Sequence, residues 1–177
     1  MRVISGQKRG KKLEALVGET VRPTTDKVKE SVFNVIQFEI MGARFLDLFA
    51  GSGQIGVEAL SRGAQLATFV DENKASINVV KKNLFATNFE KNAKVINMDS
   101  ILFLKKSSEI FDIAFLDPPY MSSLLDNSIF LIPKVMSQNG IVICEHHIEK
   151  ILPDNFAGFT LSKIYKYGKI ALSVYRR

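Results

Sequence analysis

The apolar run Ala114-Phe115-Leu116 ends abruptly in Asp117-Pro118-Pro119-Tyr120. Proline donates no hydrogen bond to a sheet, and Pro118 keeps Asp117 out of helical backbone space, so the chain must turn rigidly here. A carboxylate, a constrained backbone carbonyl and an aromatic ring held on one rigid turn suit an acceptor that is planar and carries an amino group. The exocyclic amine of a nucleobase fits that description, and it is a poor nucleophile because its lone pair is delocalised into the ring. If its two hydrogens are held by Asp117 and by a carbonyl near Pro118, the nitrogen becomes more tetrahedral and its lone pair can be aimed at an electrophile. Tyr120 would stack on the base, a contact worth ~1–3 kcal/mol. Positioning of this kind reaches effective molarities on the order of 10⁵ M. Asp117 can take the released proton, although the product cation is acidic enough to need little base catalysis. A proline-rich turn with a capping aspartate is the alternative reading of these four residues taken alone.

A glycine-rich turn upstream bears on the electrophile. In Phe45-Leu46-Asp47-Leu48-Phe49-Ala50-Gly51-Ser52-Gly53-Gln54-Ile55-Gly56, the glycines at 51, 53 and 56 satisfy GxGxxG, and Asp71 lies 20 positions beyond Gly51. That pattern also fits a dinucleotide fingerprint and does not discriminate by itself. Two features favour S-adenosylmethionine. Asp47, four residues before Gly51, would repel a pyrophosphate but suits a ligand bearing an ammonium and a sulfonium. Acids also recur at successive strand ends, as Asp47, Asp71 and Asp99, and should line one crevice at the carboxyl edge of a sheet. By reach and chemistry Asp71 accepts from the ribose hydroxyls, Asp99 from the adenine amino group, and Asp47 orients the methionine end. Gly51 and Gly53 let the backbone approach the ligand without a Cβ in the way. Any one of these acids could instead be a helix cap.

Positioning these groups takes a doubly wound α/β sheet, and short apolar runs do alternate with helical patterns. The candidate strands are Arg44–Phe49, Ala67–Val70, Ala93–Asn97, Asp112–Leu116 and Ile141–Glu145, mostly continuous apolar runs as expected of strands covered on both faces. Between them lie helices near Gln54–Ser61, Asn73–Thr87, Ser100–Lys106 and Ser123–Ser137. Two apolar-alternating runs, Phe159–Tyr167 and Ile170–Tyr175, join around Gly168 as a hairpin. The total is a seven-stranded sheet with a terminal antiparallel hairpin, which suits a class I methyltransferase better than a dehydrogenase. Upstream, Thr25 is a candidate N-cap for a helix carrying Val28, Val32, Val35 and Ile36. Arg2–Ser5 and Lys12–Leu16 can pair as a small hairpin around Gly6–Gly10.

A chain of 177 residues with 46% hydrophobic and 24% charged residues implies one globular domain. It has neither an apolar secretory start nor a spanning run, which points to the cytoplasm. Cys144 sits in the apolar run Gly140–Cys144 and reads as core rather than as a nucleophile or ligand. No metal is implied. The adjacent histidines, His146 and His147, read as surface or strand-end residues. The net charge is +6, and the first 31 residues hold eight cations against four acids. A basic N-terminal arm over residues 1–22, with Arg2, Lys8, Arg9, Lys11, Lys12 and Arg22, could contact phosphates; a solvated tail is the plain alternative.

The Asp117–Tyr120 tetrapeptide with the Asp47-to-Gly53 loop resembles the amino-methyltransferases that act on adenine N6 or guanine N2. More narrowly, Arg22–Asn34, Asp47–Gly53 and Glu58–Ala64, with the opening Arg2–Gly6 and Arg9–Leu13, resemble the bacterial 16S ribosomal RNA guanine-N2 methyltransferase family over essentially the whole chain. The resemblance implies methylation of one guanine N2 in small-subunit ribosomal RNA, presented in a ribonucleoprotein. It implies an arm that grips RNA, an Arg22–Asp26 segment that closes over S-adenosylmethionine with Thr25, and a monomer. Lys27 and Lys29 stand where the family often has arginines, which would alter phosphate contacts. A DNA adenine-N6 methyltransferase would need a recognition domain for which the chain has no room, and a protein glutamine methyltransferase typically has Asn in place of Asp117. An NAD-dependent oxidoreductase rests on the glycines alone, and a non-enzymatic RNA-binding module leaves the acid series unexplained.

Overall fold

The structure, a computed structural model, describes residues 1–16, 25–120 and 122–177. Arg22 and the neighbouring Pro23 and Thr24 lie outside the described residues. Among the described residues, eight strands form one sheet: β1 (Arg44–Asp47), β2 (Leu66–Asp71), β3 (Ala93–Asn97), β4 (Phe111–Leu116), β5 (Met136–His147), β6 (Asn155–Phe156), β7 (Phe159–Tyr167) and β8 (Ile170–Arg176). Their spatial order is β3-β2-β1-β4-β5-β8-β7-β6. The pairs among β1 to β5 are parallel, and β8 enters antiparallel between β5 and β7. The α/β sheet with its terminal hairpin is as the sequence implies, with one strand added. That strand, β6, pairs with β7 through a turn in which Ala157 and Gly158 take positive φ of 42° and 87°. Two residues carry no alternation to read, and the pairing is held by Phe156 stacked on Phe159 at 5.3 Å and edge-on to Tyr175 at 4.8 Å.

Helices cover both faces because consecutive residues of each central strand are apolar, so that both faces of the sheet must be buried. On one face Phe45, Phe69, Ile113 and Phe115 pack with α1 (Asp26–Val35), α2 (Gln54–Ser61) and α3 (Lys74–Thr87). On the other, Leu46, Val70, Ala114, Leu116 and Cys144 pack with α4 (Ser100–Lys106) and α5 (Leu124–Leu131). Cys144 is fully buried, and burial pushes its thiol pKa up, which makes it an inert core residue. Gly56 sits where α2 crosses β2, and a Cβ there would lie 2.2 Å from the Phe69 ring.

Element boundaries differ from those the sequence suggests where local chemistry intervenes. The expected helix Ser123–Ser137 stops at Leu131. A 3₁₀ turn over Ile132–Val135 follows, because Pro133 has no N–H to continue an α-helix. The freed residues extend β5 back to Met136, past a register shift between Phe111 and Ile113 of its neighbour. β1 ends at Asp47 rather than Phe49, although Leu48 N–H still donates to the Phe115 carbonyl at 3.1 Å. Thr25 does cap α1, accepting from Val28 N–H, and Asn73 caps α3, accepting from Ala75 N–H at 2.8 Å. At the N-terminus the expected hairpin reduces to a single antiparallel bridge between Arg2 and Lys12, flanked by Val3 N–H to Lys11 O and Leu13 N–H to Met1 O.

Candidate active site

The parallel strands end at one rim, and each carries an acid at its end or within two residues of it. In register, Asp47 of β1 pairs with Phe115 of β4, and Leu116 pairs with Cys144 of β5. Asp117 and Glu145, one residue further along, therefore leave neighbouring strands at the same level, with Asp47 beside them. Asp71 ends β2, and Asp99 follows β3.

Asp47, Asp71 and Asp99 are each held by backbone donors. Asp47 is 2% exposed and accepts from Gly56 N–H at 3.0 Å, the third amide of α2, which its local N-cap Gly53 cannot satisfy with a side chain. Asp71 accepts from Gly51 N–H and Asn73 N–H, both at 2.8 Å, and so pins the glycine turn to the end of β2. Asp99 caps α4 by accepting from Leu102 N–H at 2.7 Å. Capping and ligand binding do not exclude one another, since a carboxylate has about four acceptor sites.

The glycine turn suits a ligand that approaches the backbone closely. Gly51 and Gly53 take φ of 52° and 76°, and a Cβ on Gly51 would meet nothing within 4 Å, so the surface over it is open. The combination of an open platform at Gly51, the Asp47 carboxylate behind the turn, and Asp71 and Asp99 in line fits S-adenosylmethionine. It fits a dinucleotide poorly, because Asp47 stands at the base of the turn.

At the acceptor end, Asp117 is half-buried and its carboxyl is pushed well above the usual range, first by burial and then by the charges of Glu145 and Asp47. Pro118 is buried, while Tyr120 is 43% exposed and donates its hydroxyl to Glu145 Oε1 at 3.1 Å. Its ring meets His147 edge-on at 6.4 Å. A small pocket beside it is lined by Pro118, Tyr120, Ser122, Glu145, His147 and Lys150. A larger, shallow cavity of about 510 Å³ lies at the opposite rim, between Glu39, Asp112 and Asn139, far from these carboxylates. Glu145 is a site residue that the sequence alone does not single out, although it closes the acid series at the end of the fifth candidate strand. His146 is a strand-end residue, the last but one of β5, and not a surface one: it is 3% exposed and bonded through Nε2 to Ser173 Oγ at 2.8 Å. It lies on the sheet face away from Glu145 by the alternation of β5.

The family described as Conserved hypothetical protein 95 matches residues 1–176. The chain belongs to this family. "Putative rRNA methyltransferase YlbH" of Bacillus subtilis (strain 168) is 40% identical over 182 residues, spanning 100% of this chain and 99% of that protein. "Ribosomal RNA small subunit methyltransferase D" of Escherichia coli (strain K12) is 37% identical over 179 residues, spanning 100% and 90%. A solved structure, "Putative methyltransferase yhhF from Escherichia coli", superposes with a TM-score of 0.90 at 37% identity, covering 100% of this chain and 97% of that one. The fold is that of the class I methyltransferases, as the sheet order and the acid-lined rim lead one to expect.

The family's basic opening is docked rather than free. Glu58 of α2, fully buried, accepts from Ile4 N–H at 2.7 Å, Ser5 N–H at 2.9 Å and Arg62 Nε at 2.8 Å. Ser61 Oγ and its carbonyl accept from Lys8 N–H and Gln7 N–H. Asn83 of α3 donates both to Glu14 O at 3.1 Å and to Ser52 O at 2.9 Å, linking this segment to the glycine turn. The segment thus runs along α2 and places the 6–10 loop at the end of α2 away from the glycines. Arg9, Lys11 and Lys12 are exposed; Lys8 is half-buried over the Phe89 ring, and Arg2 pairs with Asp26 at 3.5 Å. Lys29 cannot contact phosphate: it is fully buried and donates to Arg2 O at 2.6 Å.

Burial sets a pH dependence. The Asp47 carboxyl is raised from 3.8 to about 7 by burial, with Asp71 adding and the Gly56 N–H opposing. Between those two values the folded chain holds a proton that the unfolded chain has released, so this group's contribution to stability falls as pH rises. His146, its pKa lowered by burial, acts in the opposite direction below its ordinary value. An Asp47→Asn comparison isolates the aspartate. Thermal melts are expected to show a larger gain in Tm over wild type at pH 8 than at pH 5, and an equal gain at both would contradict the raised pKa.

Proposed function

We propose that this chain transfers a methyl group from S-adenosylmethionine to the exocyclic N2 amino group of a guanine in 16S ribosomal RNA, presented in the small-subunit ribonucleoprotein. The observation that carries the reading is the shared rim: Asp117, on the rigid turn after β4, stands beside Asp47 and the glycine turn of the adjacent β1. When bound, S-adenosylmethionine supplies an electrophilic methyl on a sulfonium and leaves as a neutral thioether. Asp47, buried behind the turn, would orient the methionine end. Gly51 would give the backbone close approach, whereas Gly53, whose Cβ position faces Val80 and Phe69 rather than open space, would serve by letting the turn pack. Asp71 would accept from the ribose hydroxyls and Asp99 from the adenine amine. Thr25, at the start of α1, closes over the same ligand.

Asp117 accepts one N2 hydrogen and the Pro118 carbonyl the other, so that the nitrogen lone pair faces the donor and little beyond positioning is asked of the chain. The proton leaves to Asp117 or to water after the N–C bond has formed. Tyr120, with its hydroxyl on Glu145, flanks the base. A paired base cannot reach this rim, so the target is unpaired or flipped.

The relatives named as rRNA methyltransferases support ribosomal RNA as the substrate, and the guanine N2 specificity is the finer part of the proposal. Incubating the chain with labelled S-adenosylmethionine and subunits lacking the modification, then digesting, should yield labelled N2-methylguanosine. N6-methyladenosine, or no label, would overturn it.

Arg2, Lys8, Arg9, Lys11 and Lys12 lie on the proposed RNA-contacting segment, to which the sequence adds Arg22, outside the described residues. Lys11→Ala with Lys12→Ala should flatten the plot of log affinity against log salt by about 0.7–0.9 for each phosphate that is no longer neutralised. An unchanged slope in filter-binding titrations would exclude these two lysines from the interface.

A further inference from the structure

Glu145 is a titratable group, its carboxyl raised to about 7 by burial against the opposing Tyr120 hydrogen bond, in a position that the reaction as described does not use. The residue is 3% exposed, its Oε1 accepts from the Tyr120 hydroxyl at 3.1 Å, and its Oε2 is buried without a hydrogen-bond partner among the described residues. A buried acceptor left unmade is unfavourable and calls for a donor from water or from a ligand. Thr68 Oγ1 and Ser128 Oγ share that state in the core, whereas Glu145 Oε2 lies at the rim beside the Asp117 turn. Glu145 also lines, with Pro118, Pro119 and Tyr120, a small depression of about 10 Å³ beside the Asp117 turn, too small to enclose a base but open to the edge of one lying over it. The pairing of Leu116 with Cys144 sets Asp117 and Glu145 side by side on adjacent parallel strands, whose spacing is about 4.8 Å.

Two carboxylates offered together read one particular base edge. Guanine presents adjacent donors, N1–H and the N2 amine, on its Watson–Crick edge, whereas adenine presents one amine beside an N1 acceptor. A second carboxylate satisfies the first arrangement and repels the second. We propose that Glu145 selects guanine, its Oε2 accepting N1–H of the flipped base while Asp117 holds an N2 hydrogen. This rests on the guanine-N2 reading above and adds to it the group that enforces the choice. Tyr120, by holding Oε1, fixes the direction of Oε2.

The test uses 2,6-diaminopurine, which keeps the N2 amine but has an N1 acceptor in place of N1–H. Once the labelled digest has located the target, subunits are reconstituted from ligated 16S RNA carrying either guanine or 2,6-diaminopurine there, and kcat/KM is measured with the full chain. Wild type should prefer guanine by roughly 10²-fold or more, since a site built to hydrogen-bond a group rejects the analogue lacking it. Glu145→Gln should lose most activity on guanine yet retain or gain activity on 2,6-diaminopurine, because the glutamine amide can donate to N1. Equal wild-type activity on the two bases overturns the inference and requires no variant. An equal loss on both in Glu145→Gln, with donor affinity by calorimetry unchanged, also overturns it by assigning Glu145 a merely structural role. Absence of any label on the guanine subunits would sink the underlying function as well, whereas labelling of guanine without discrimination would sink this inference alone.

Discussion

Asp117→Ala is expected to lower the single-turnover rate of methyl transfer by about 10³-fold, comparable to the loss of a preorganised group at a reacting centre. The affinity for S-adenosylmethionine should stay within a few fold, because in the proposed arrangement Asp47, Asp71, Asp99 and the glycine turn would hold that ligand without it. The variant should not be less stable near pH 8. The Asp117 carboxyl is raised by burial, by Glu145 and by Asp47, so removing it relieves a repulsion that ionisation imposes. Rapid-quench kinetics and calorimetry on one preparation check both halves. A rate within tenfold of wild type, or a large loss of donor affinity, would show that Asp117 serves the donor end or nothing.

Glu58→Ala should be the most destabilising exchange away from the site, by about 3 kcal/mol, because it leaves two amides and a guanidinium without their acceptor. For a chain of this size that corresponds to a Tm lower by roughly 6–12 °C. Hydrogen exchange should speed up selectively at residues 3–13, whose anchor is removed. Because Asn83 ties the same segment to Ser52, donor affinity should also weaken modestly. An unchanged Tm would mean that Val3 and Leu13 alone hold the segment down.

Most of the positions that matter here can be read from residue types and order. The alternation of apolar runs with helical patterns marks the parallel core. The glycine turn and the strand-end acids mark the rim, and Pro118 marks a rigid turn because its effect on the backbone is local. What cannot be read depends on partners distant in sequence. Glu58 looks like an ordinary helical glutamate until Ile4 and Ser5 arrive 54 and 53 residues away. Lys29 looks like a surface cation until its burial against the Arg2 carbonyl is seen. The two-residue β6 has no period, and Pro133 breaks a helix whose apolar pattern continues past it. Glu145 stands between these cases: it ends a strand run as Asp47 and Asp71 do, a signal open to a sequence reader, but its role depends on lying next to Asp117, and only the β4–β5 register shows that.

Donor and acceptor must meet at one rim, with the glycine turn behind one and the Asp117 turn behind the other. A crystal structure of the chain with S-adenosylhomocysteine tests this most directly. The ribose is expected on Asp71, the adenine near Asp99, the amino end at Asp47, and the sulfur facing Asp117 and Pro118. A ligand bound at the opposite rim near Glu39 and Asp112, or a sulfur turned away from Asp117, would contradict it.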